Sequence, residues 1–533
     1  EAVRAVITNP DMLHASVLPN HDRWRRLFST LRYVVVDEMH MYRGVFGSHV
    51  ANIFRRLLRI CDHYGSRPQF VFTSATIANP AELAASLIDR PAALVAENGA
   101  PSGEKLFMLY NPPIVEPQLQ IRQAPATAAR TLVSRFMKAG HHAIAFMRSR
   151  REVEVLTRKL KEGFEAKGDR RLAERTEGYR GGYLPEERRR IERGLRAGSV
   201  QGVVTTNALE LGIDIGSLDV CVIAGFPGTI ASTWQQAGRA GRRQGTSVAI
   251  LVAGDDPVDQ YLIHHPDYFF GATPEHARVD PNNLRIYTEH LKCAVFELPM
   301  RVDEAFGDLA VDDTRDLLDY LAEEAALLTF TGDAWRWSAE GYPANTVTIR
   351  DIHDENFVII DTSRPQHPTL LGEIDFEAAH KTIYLNAIYQ HAALLYEVHR
   401  LDYPERKAYV RRVEPEYFTQ AVDQTRVFVL ETLDEGEPLP DARRVDAVRG
   451  WGEVRVIRRW PGYKKIRFKT YENIGFGEIH LPDLEKHTTA YWVTFPTTLL
   501  ERVDADATAI SGALHGIARA LHTVALVHLM CAT

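Results

Sequence analysis

Short apolar, β-branched runs alternate with helical patterns from the start of the chain to about residue 265. That alternation restricts the chain to a parallel α/β architecture with helices on both faces of each sheet. The run Tyr33-Val34-Val35-Val36 is continuous rather than alternating, which predicts a strand covered on both faces. Residues 2–8, 69–72, 142–146, 202–205 and 220–223 are predicted as further strands, and residues 50–64, 126–139 and 150–167 as helices. Pro101, Pro112, Pro113 and Pro117 mark residues 99–117 as a linker. Two α/β units joined in this way enclose a cleft, the usual ligand site of paired domains.

A chain of 533 residues has room for roughly three or four domains. A net charge of -7 gives no overall attraction to nucleic acid, so any such binding must use local patches. Cys61, Cys221, Cys293 and Cys531 lie far apart, which suggests neither a disulfide framework nor a zinc knuckle and fits a reducing, cytoplasmic setting. Neither a long apolar span nor a signal peptide is evident, so no membrane partner is expected. The chain opens on Glu1 rather than Met and reads as a fragment.

Two segments carry the chemistry. Asp37 and Glu38 leave the strand at 33–36 consecutively, so their side chains diverge. Asp37 is suited to holding Mg²⁺ through its water shell, and Glu38 to orienting or deprotonating an attacking water. The plain alternative is a solvated acidic pair at a strand end, and His40 alone reads as structural. About two hundred residues later, Gln235-Gln236-Ala237-Gly238-Arg239-Ala240-Gly241-Arg242 sets two arginines three apart, a fork suited to phosphate or else a solvated basic face. Together the segments read as the two halves of a nucleic-acid-dependent ATPase. No glycine-rich phosphate loop occurs anywhere in the chain. Thr73-Ser74-Ala75-Thr76 follows an apolar strand as a hydroxyl-rich turn, open to two readings. It bonds the 37–40 segment and transmits nucleotide state, or it caps a helix at 79–87.

In order and rough spacing, these segments resemble the superfamily two DExH helicases. Asp37-Glu38-Met39-His40 matches motif II, Thr73-Ser74-Ala75-Thr76 motif III, residues 205–214 motif V and residues 235–242 motif VI. Thr8-Asn9-Pro10-Asp11 looks like motif Ib, and residues 143–148 like motif IV. Residues 179–193, the closing Gly-Arg repeats and the long C-terminal region are similar to the bacterial mitomycin repair factor A group and its fungal RecQ-like relatives. The resemblance implies ATP and Mg²⁺ as cofactors, single-stranded or tailed DNA as partner, 3′→5′ movement and a role in DNA repair. It implies that His40 joins Asp37, Glu38 and Gln235 in the catalytic set, that Arg239 and Arg242 reach the γ-phosphate, that Gln235 contacts the nucleotide or links the lobes, and that Gly212 and Asp214 belong to the motif V nucleotide contact. Thr8, Asn9, Pro10, Thr205, Thr206 and Asn207 would grip the strand backbone without reading sequence. Ser74, Ala75 and Thr76 would couple the two events.

The expected organisation is two RecA-like parallel-sheet lobes, the first incomplete, then a winged-helix-like segment and a β-rich accessory domain. The boundaries are 1–100, 101–120 for the linker, 121–268, 269–344 and 345–500, with 501–533 opening a zinc-binding domain. The family's phosphate loop should precede Glu1, so this chain alone is not expected to hydrolyse ATP. Zn²⁺ is expected only in a full-length protein, since Cys531 alone stands near the family's four-cysteine site. The acidic residues Asp312, Asp313, Asp316 and Asp319 argue for a wedge or brace rather than a DNA face in the winged-helix-like segment. Residues 443–469 hold ten Lys/Arg against two acids, with Trp451, Trp460, Tyr463 and Phe468 interleaved. This is either a single-strand platform using Arg458 and Arg459 or a barrel wall with a basic outer face. Two alternatives to a DNA motor stay open: a nucleic-acid-binding scaffold without ATPase activity, and a motor on RNA.

Overall fold

The computed structural model describes residues 4–529 apart from 76, 98, 100–102, 119–120, 211–214, 217, 242–244, 272–274, 350–355, 365, 393, 439–446, 469, 471 and 504. In the front lobe, Tyr33–Val36 and Gln69–Phe72 pair in parallel, with Tyr33 opposite Gln69 and Val36 opposite Phe72. Val34, Val36, Phe70 and Phe72 pack toward helix Gly44–His63, whose Ile53, Leu57 and Ile60 are buried. The other face is not covered as the apolar run predicts: Val35 is 67% and Tyr33 62% exposed. Only one helical layer lies against this sheet among the described residues. Residues 4–8 do not form the expected strand, and Ile7 is fully exposed, so no burial draws them into a ladder.

The rear lobe is a six-stranded parallel sheet in the order Lys105–Tyr110, Ser247–Val252, Val220–Ala224, Ala143–Phe146, Gly202–Thr205, Thr176–Tyr179. Helices Pro125–Lys138 and Arg150–Glu165 cover one face through Val133, Leu156 and Leu160. Helices Pro185–Arg196 and Ile230–Ala237 cover the other through Ile191, Leu195 and Ile230. The linker expectation fails over 105–110, where every second side chain is half-buried, as an edge strand requires.

Helices Leu284–Glu297 and Val311–Glu323 pack on a small antiparallel sheet of Met300–Arg301, Ala334–Trp337 and Leu328–Thr331. One turn-spaced set of arginines fastens this unit to the front lobe. Arg55 bonds Asp308 at 2.6 Å, Arg59 bonds the Ala294 carbonyl at 2.7 Å, and the fully buried Arg56 meets Glu297 at 3.1 Å. Arg56 also donates to His14 Nδ1 at 2.7 Å and to His290 Nδ1 at 3.3 Å. A guanidinium only donates, so both Nδ1 atoms are bare and both protons sit on Nε2. His14 passes its proton to the Ala344 and Val347 carbonyls, and His290 passes its own to His49 Nδ1 at 3.0 Å. Burial, reinforced by Arg56, lowers His14 to about 4, and His290 falls well below its ordinary value.

Beyond residue 356 the chain is β-rich. A five-stranded sheet runs Thr369–Ile374, Phe357–Asp361, Lys407–Arg412, Leu394–Asp402, Ile388–His391. A second sheet is built on the long strands Tyr417–Pro438 and Val448–Arg467. Among the described residues neither pairing path closes on itself, and the two sheets share a core. Arg180 joins this unit to the rear lobe, donating to Tyr389 Oη and the Gln390 carbonyl, each at 3.1 Å. The last helix spans Ala507–Leu529, and no described helix is long and apolar enough to cross a membrane.

Candidate nucleotide cleft and nucleic-acid contacts

The parallel register brings Thr73, one residue past its strand, beside Asp37, one residue past the neighbouring strand. The Thr73 hydroxyl donates to Asp37 Oδ1, and the Glu38 N–H donates to the same oxygen at 3.1 Å. Asp37 stays exposed, and its Oδ2 receives no hydrogen bond from the described residues. A hard oxygen fixed on one side and open on the other fits a water-mediated Mg²⁺ ligand. Glu38 has φ 53°, a left-handed conformation that costs a non-glycine residue roughly 1–3 kcal/mol. The turn is held by the Met39 N–H donating to the Thr73 carbonyl at 2.8 Å.

His40 follows, nearly buried, and accepts from the Ala75 N–H at Nδ1, 3.1 Å away. Its Nε2 lies 2.6 Å from the side-chain amide of Gln235 in the rear lobe. The Gln235 atom at that distance is Nε2; because His40 Nδ1 accepts, a neutral ring carries its proton on its own Nε2, so the bond forms with the Gln235 carboxamide turned over to present its oxygen. Burial first, then Arg43, lowers His40 to about 4 against an opposing pull from Asp37, so the ring is neutral near pH 7. One imidazole therefore joins the small-residue turn, the acidic strand end and the motif VI helix.

The remaining expected residues divide. Arg239 is buried and donates to the Glu210 carbonyl, Nε at 2.9 Å, which braces motif V from within the lobe. Gln236 donates to the Glu210 carboxylate at 2.9 Å; burial raises that carboxyl, while Gln236, Ser232, Arg43 and Arg239 draw it down. Gly212, Asp214, Arg242, Thr76 and Cys531 lie outside the described residues. Thr205 is fully buried and donates to the Thr206 carbonyl at 3.0 Å, which removes it as a direct strand contact. Thr206 caps the short turn at Asn207–Leu209, leaving Asn207 exposed. Thr8 and Asn9 are exposed and Pro10 half-buried; the Asn9 carboxamide caps the turn that follows, accepting from Met12 N–H at 2.8 Å. Ser74 is exposed and donates to the Ala75 carbonyl at 2.8 Å.

The stacking-platform reading loses half its aromatics. Trp460 and Tyr463 are buried in the β-rich core. Arg458 pairs with Glu377, and Arg459 lies 3.6 Å from Asp483. The expected bonding of the Thr73–Thr76 turn to the 37–40 segment is present, through Thr73 to Asp37 and Ala75 to His40. Sequence reasoning missed Glu210, which only the fold brings to Gln236 and Arg239.

Two lobes meeting through an acidic strand end and a motif VI helix define a superfamily two helicase core. The DEAD/DEAH box helicase family matches residues 1–83, the helicase conserved C-terminal domain 127–244, and the winged helix domain of the ATP-dependent helicase HRQ1 279–352. The chain is 47% identical over 532 residues to the uncharacterized ATP-dependent helicase YprA of Bacillus subtilis, covering 100% of this chain and 69% of that protein. It is 32% identical over 527 residues to HRQ1 of Saccharomyces cerevisiae, covering 97% of this chain and 48% of that protein. The DUF1998 helicase MrfA bound to DNA superposes with a TM-score of 0.88 at 47% identity, over 99% of this chain and 68% of MrfA. MrfA bound to DNA and AMPPNP gives 0.82, over 91% and 64%. The chain belongs to this YprA and MrfA family of superfamily two ATP-dependent helicases.

Proposed function

We propose that the chain forms the core of an ATP-driven motor that moves 3′→5′ along single-stranded DNA and serves DNA repair. The observation that carries this reading is the 2.6 Å approach of His40 and Gln235, which brings motif II within hydrogen-bond reach of the motif VI helix. Asp37 would hold Mg²⁺ through water, and Mg²⁺ would neutralise charge developing on the phosphates. Glu38 would align the attacking water, and Arg242 would serve as the finger on the γ-phosphate. Arg239 holds the motif V backbone through the Glu210 carbonyl. Asn207, with Thr8 at the front lobe, would supply strand contacts that carry no sequence information. Unequal grip in the open and closed cleft would then move the chain along the strand. DNA as the track draws on the MrfA complexes with DNA, and the polarity and repair role rest on family resemblance. A cytoplasmic location accords with this role.

The test is ATP hydrolysis by the full-length protein with single-stranded DNA, with RNA of the same sequence and with neither. DNA-specific stimulation is expected. Stimulation by RNA alone would replace the substrate, and binding without any hydrolysis would leave a scaffold.

A further inference from the structure

The helix Ile230–Ala237 that presents Gln235 is held at its other end by a residue outside the motifs. The Glu275 carboxylate is 9% exposed and accepts from the Ile230 N–H and, at 3.1 Å, from the Ala231 N–H. Thr229 serves the Ser232 N–H at 3.0 Å, so the free donors of the first turn are met and its positive end faces a carboxylate. Glu275 also begins a strap laid along the front lobe. Its own carbonyl accepts from the Ala78 N–H at 3.3 Å, and Ala277 pairs reciprocally with the Asn79 side chain at 2.9 and 3.0 Å. The Gly44 N–H donates to the Arg278 carbonyl at 2.7 Å, and the Asp280 N–H to Ser48 Oγ at 2.9 Å. Gly47 lets Val279 seat: a Cβ there would meet Val279 Cγ1 at 2.6 Å and the Tyr42 backbone at 2.5 Å. Beyond the strap lies helix Leu284–Glu297, fixed in turn by Arg56 and Arg59.

We infer that Glu275 is a positioning residue for hydrolysis, setting the motif VI helix against the front lobe. The inference rests on the motor reading above. The front lobe holds the helix twice, through His40 at Gln235 and through the Glu275 strap at Ile230 and Ala231. Both holds begin in one short segment, since Ala75 donates to His40 and Ala78 to Glu275. A shift of the small-residue turn therefore reaches both ends of the helix, and the strap carries it on to the winged-helix unit.

The experiment is DNA-stimulated hydrolysis by full-length wild type, Glu275→Ala, Glu275→Gln and Asn79→Ala. A misplaced helix keeps nucleotide binding and loses turnover, so Glu275→Ala should lower kcat by about 10–100-fold with the KM for ATP changed less than about threefold. Glu275→Gln keeps one acceptor oxygen and should recover most of that loss. Asn79→Ala loosens the strap from the front lobe while leaving the helix capped, and should show the same kcat-only defect. Wild-type kcat in Glu275→Ala or Asn79→Ala would overturn the inference. So would equal losses in the Ala and Gln variants of Glu275 with a collapsed melting temperature, which would mark a purely structural carboxylate. Absence of stimulated hydrolysis in the wild type would instead sink the motor reading.

Discussion

His40 and Gln235 approach to 2.6 Å across the two lobes, and the Ala75 N–H on the opposite ring nitrogen fixes the direction of that bond. The imidazole must be neutral and must donate to Gln235, so its lowered basicity is a condition of the contact. Removing either partner should slow DNA-stimulated hydrolysis. If the two act as one unit, the His40→Ala, Gln235→Ala double mutant should be non-additive, with a coupling of roughly 0.5–3 kcal/mol in activation free energy. Strict additivity would show the bond to be incidental to turnover.

Glu38 is the one residue of the acidic strand end held in left-handed backbone geometry. Glu38→Gln preserves size and hydrogen bonding but removes the base. Turnover should fall by about 10²–10⁴-fold while binding of a fluorescent ATP analogue is unchanged. Normal turnover in this variant would exclude Glu38 as the group acting on water.

The motif residues were legible because each motif is a contiguous segment whose local chemistry survives in one dimension. The strand ends at Asp37 and Thr73 lie where the apolar runs put them. The residues that complete the site were not legible. Glu210, Glu275 and Arg56 are ordinary charged residues until the fold brings in partners 26 to 241 positions away. The strand Thr176–Tyr179 escaped because Glu177 and Gly178 suit strands poorly, and only its place in the sheet defines it. The continuous run at Tyr33–Val36 overstated burial because apolar continuity reports suitability for a covered sheet, not the presence of the cover.

Arg56 and Glu297 are both fully buried at the junction of the front lobe and the winged-helix unit. Removing one partner strands a charge away from water, and Glu297→Ala should cost roughly 3–5 kcal/mol. Arg56→Met combined with Glu297→Leu should recover much of that loss, because neither charge is then left unpaired. Denaturant unfolding of the single and double variants checks the ordering, and a double variant less stable than both single variants would contradict it.

The same junction sets a pH dependence. His14 and His49 are lowered from 6.5 to about 4, His14 by burial and Arg56 and His49 by burial and Arg285. Between pH 4 and 6.5 the unfolded chain binds protons that the folded chain refuses. Stability is therefore fully present above pH 6.5 and is lost as pH falls toward 4. Each such histidine contributes a slope of at most about 1.4 kcal/mol per pH unit. Unfolding free energies measured across this range should fall on acidification. His49→Gln should flatten the curve, and an unchanged slope in that variant would place the proton uptake elsewhere.

The basic strand of the β-rich unit offers the clearest separation of structure from binding. Trp460 is 3% exposed and Tyr463 4%, so neither can stack a base without unfolding its surroundings. Trp460→Ala should destabilise the domain by about 3–5 kcal/mol through the cavity it leaves. Arg459 is exposed, but its neighbour Asp483 already offsets its charge. A phosphate contact to a single strand shifts the slope of log affinity against log salt by about 0.7. Arg459→Ala should change that slope by well under this amount. A full loss of one contact would mean that DNA displaces Asp483 and that the strand, despite its buried aromatics, lines the track.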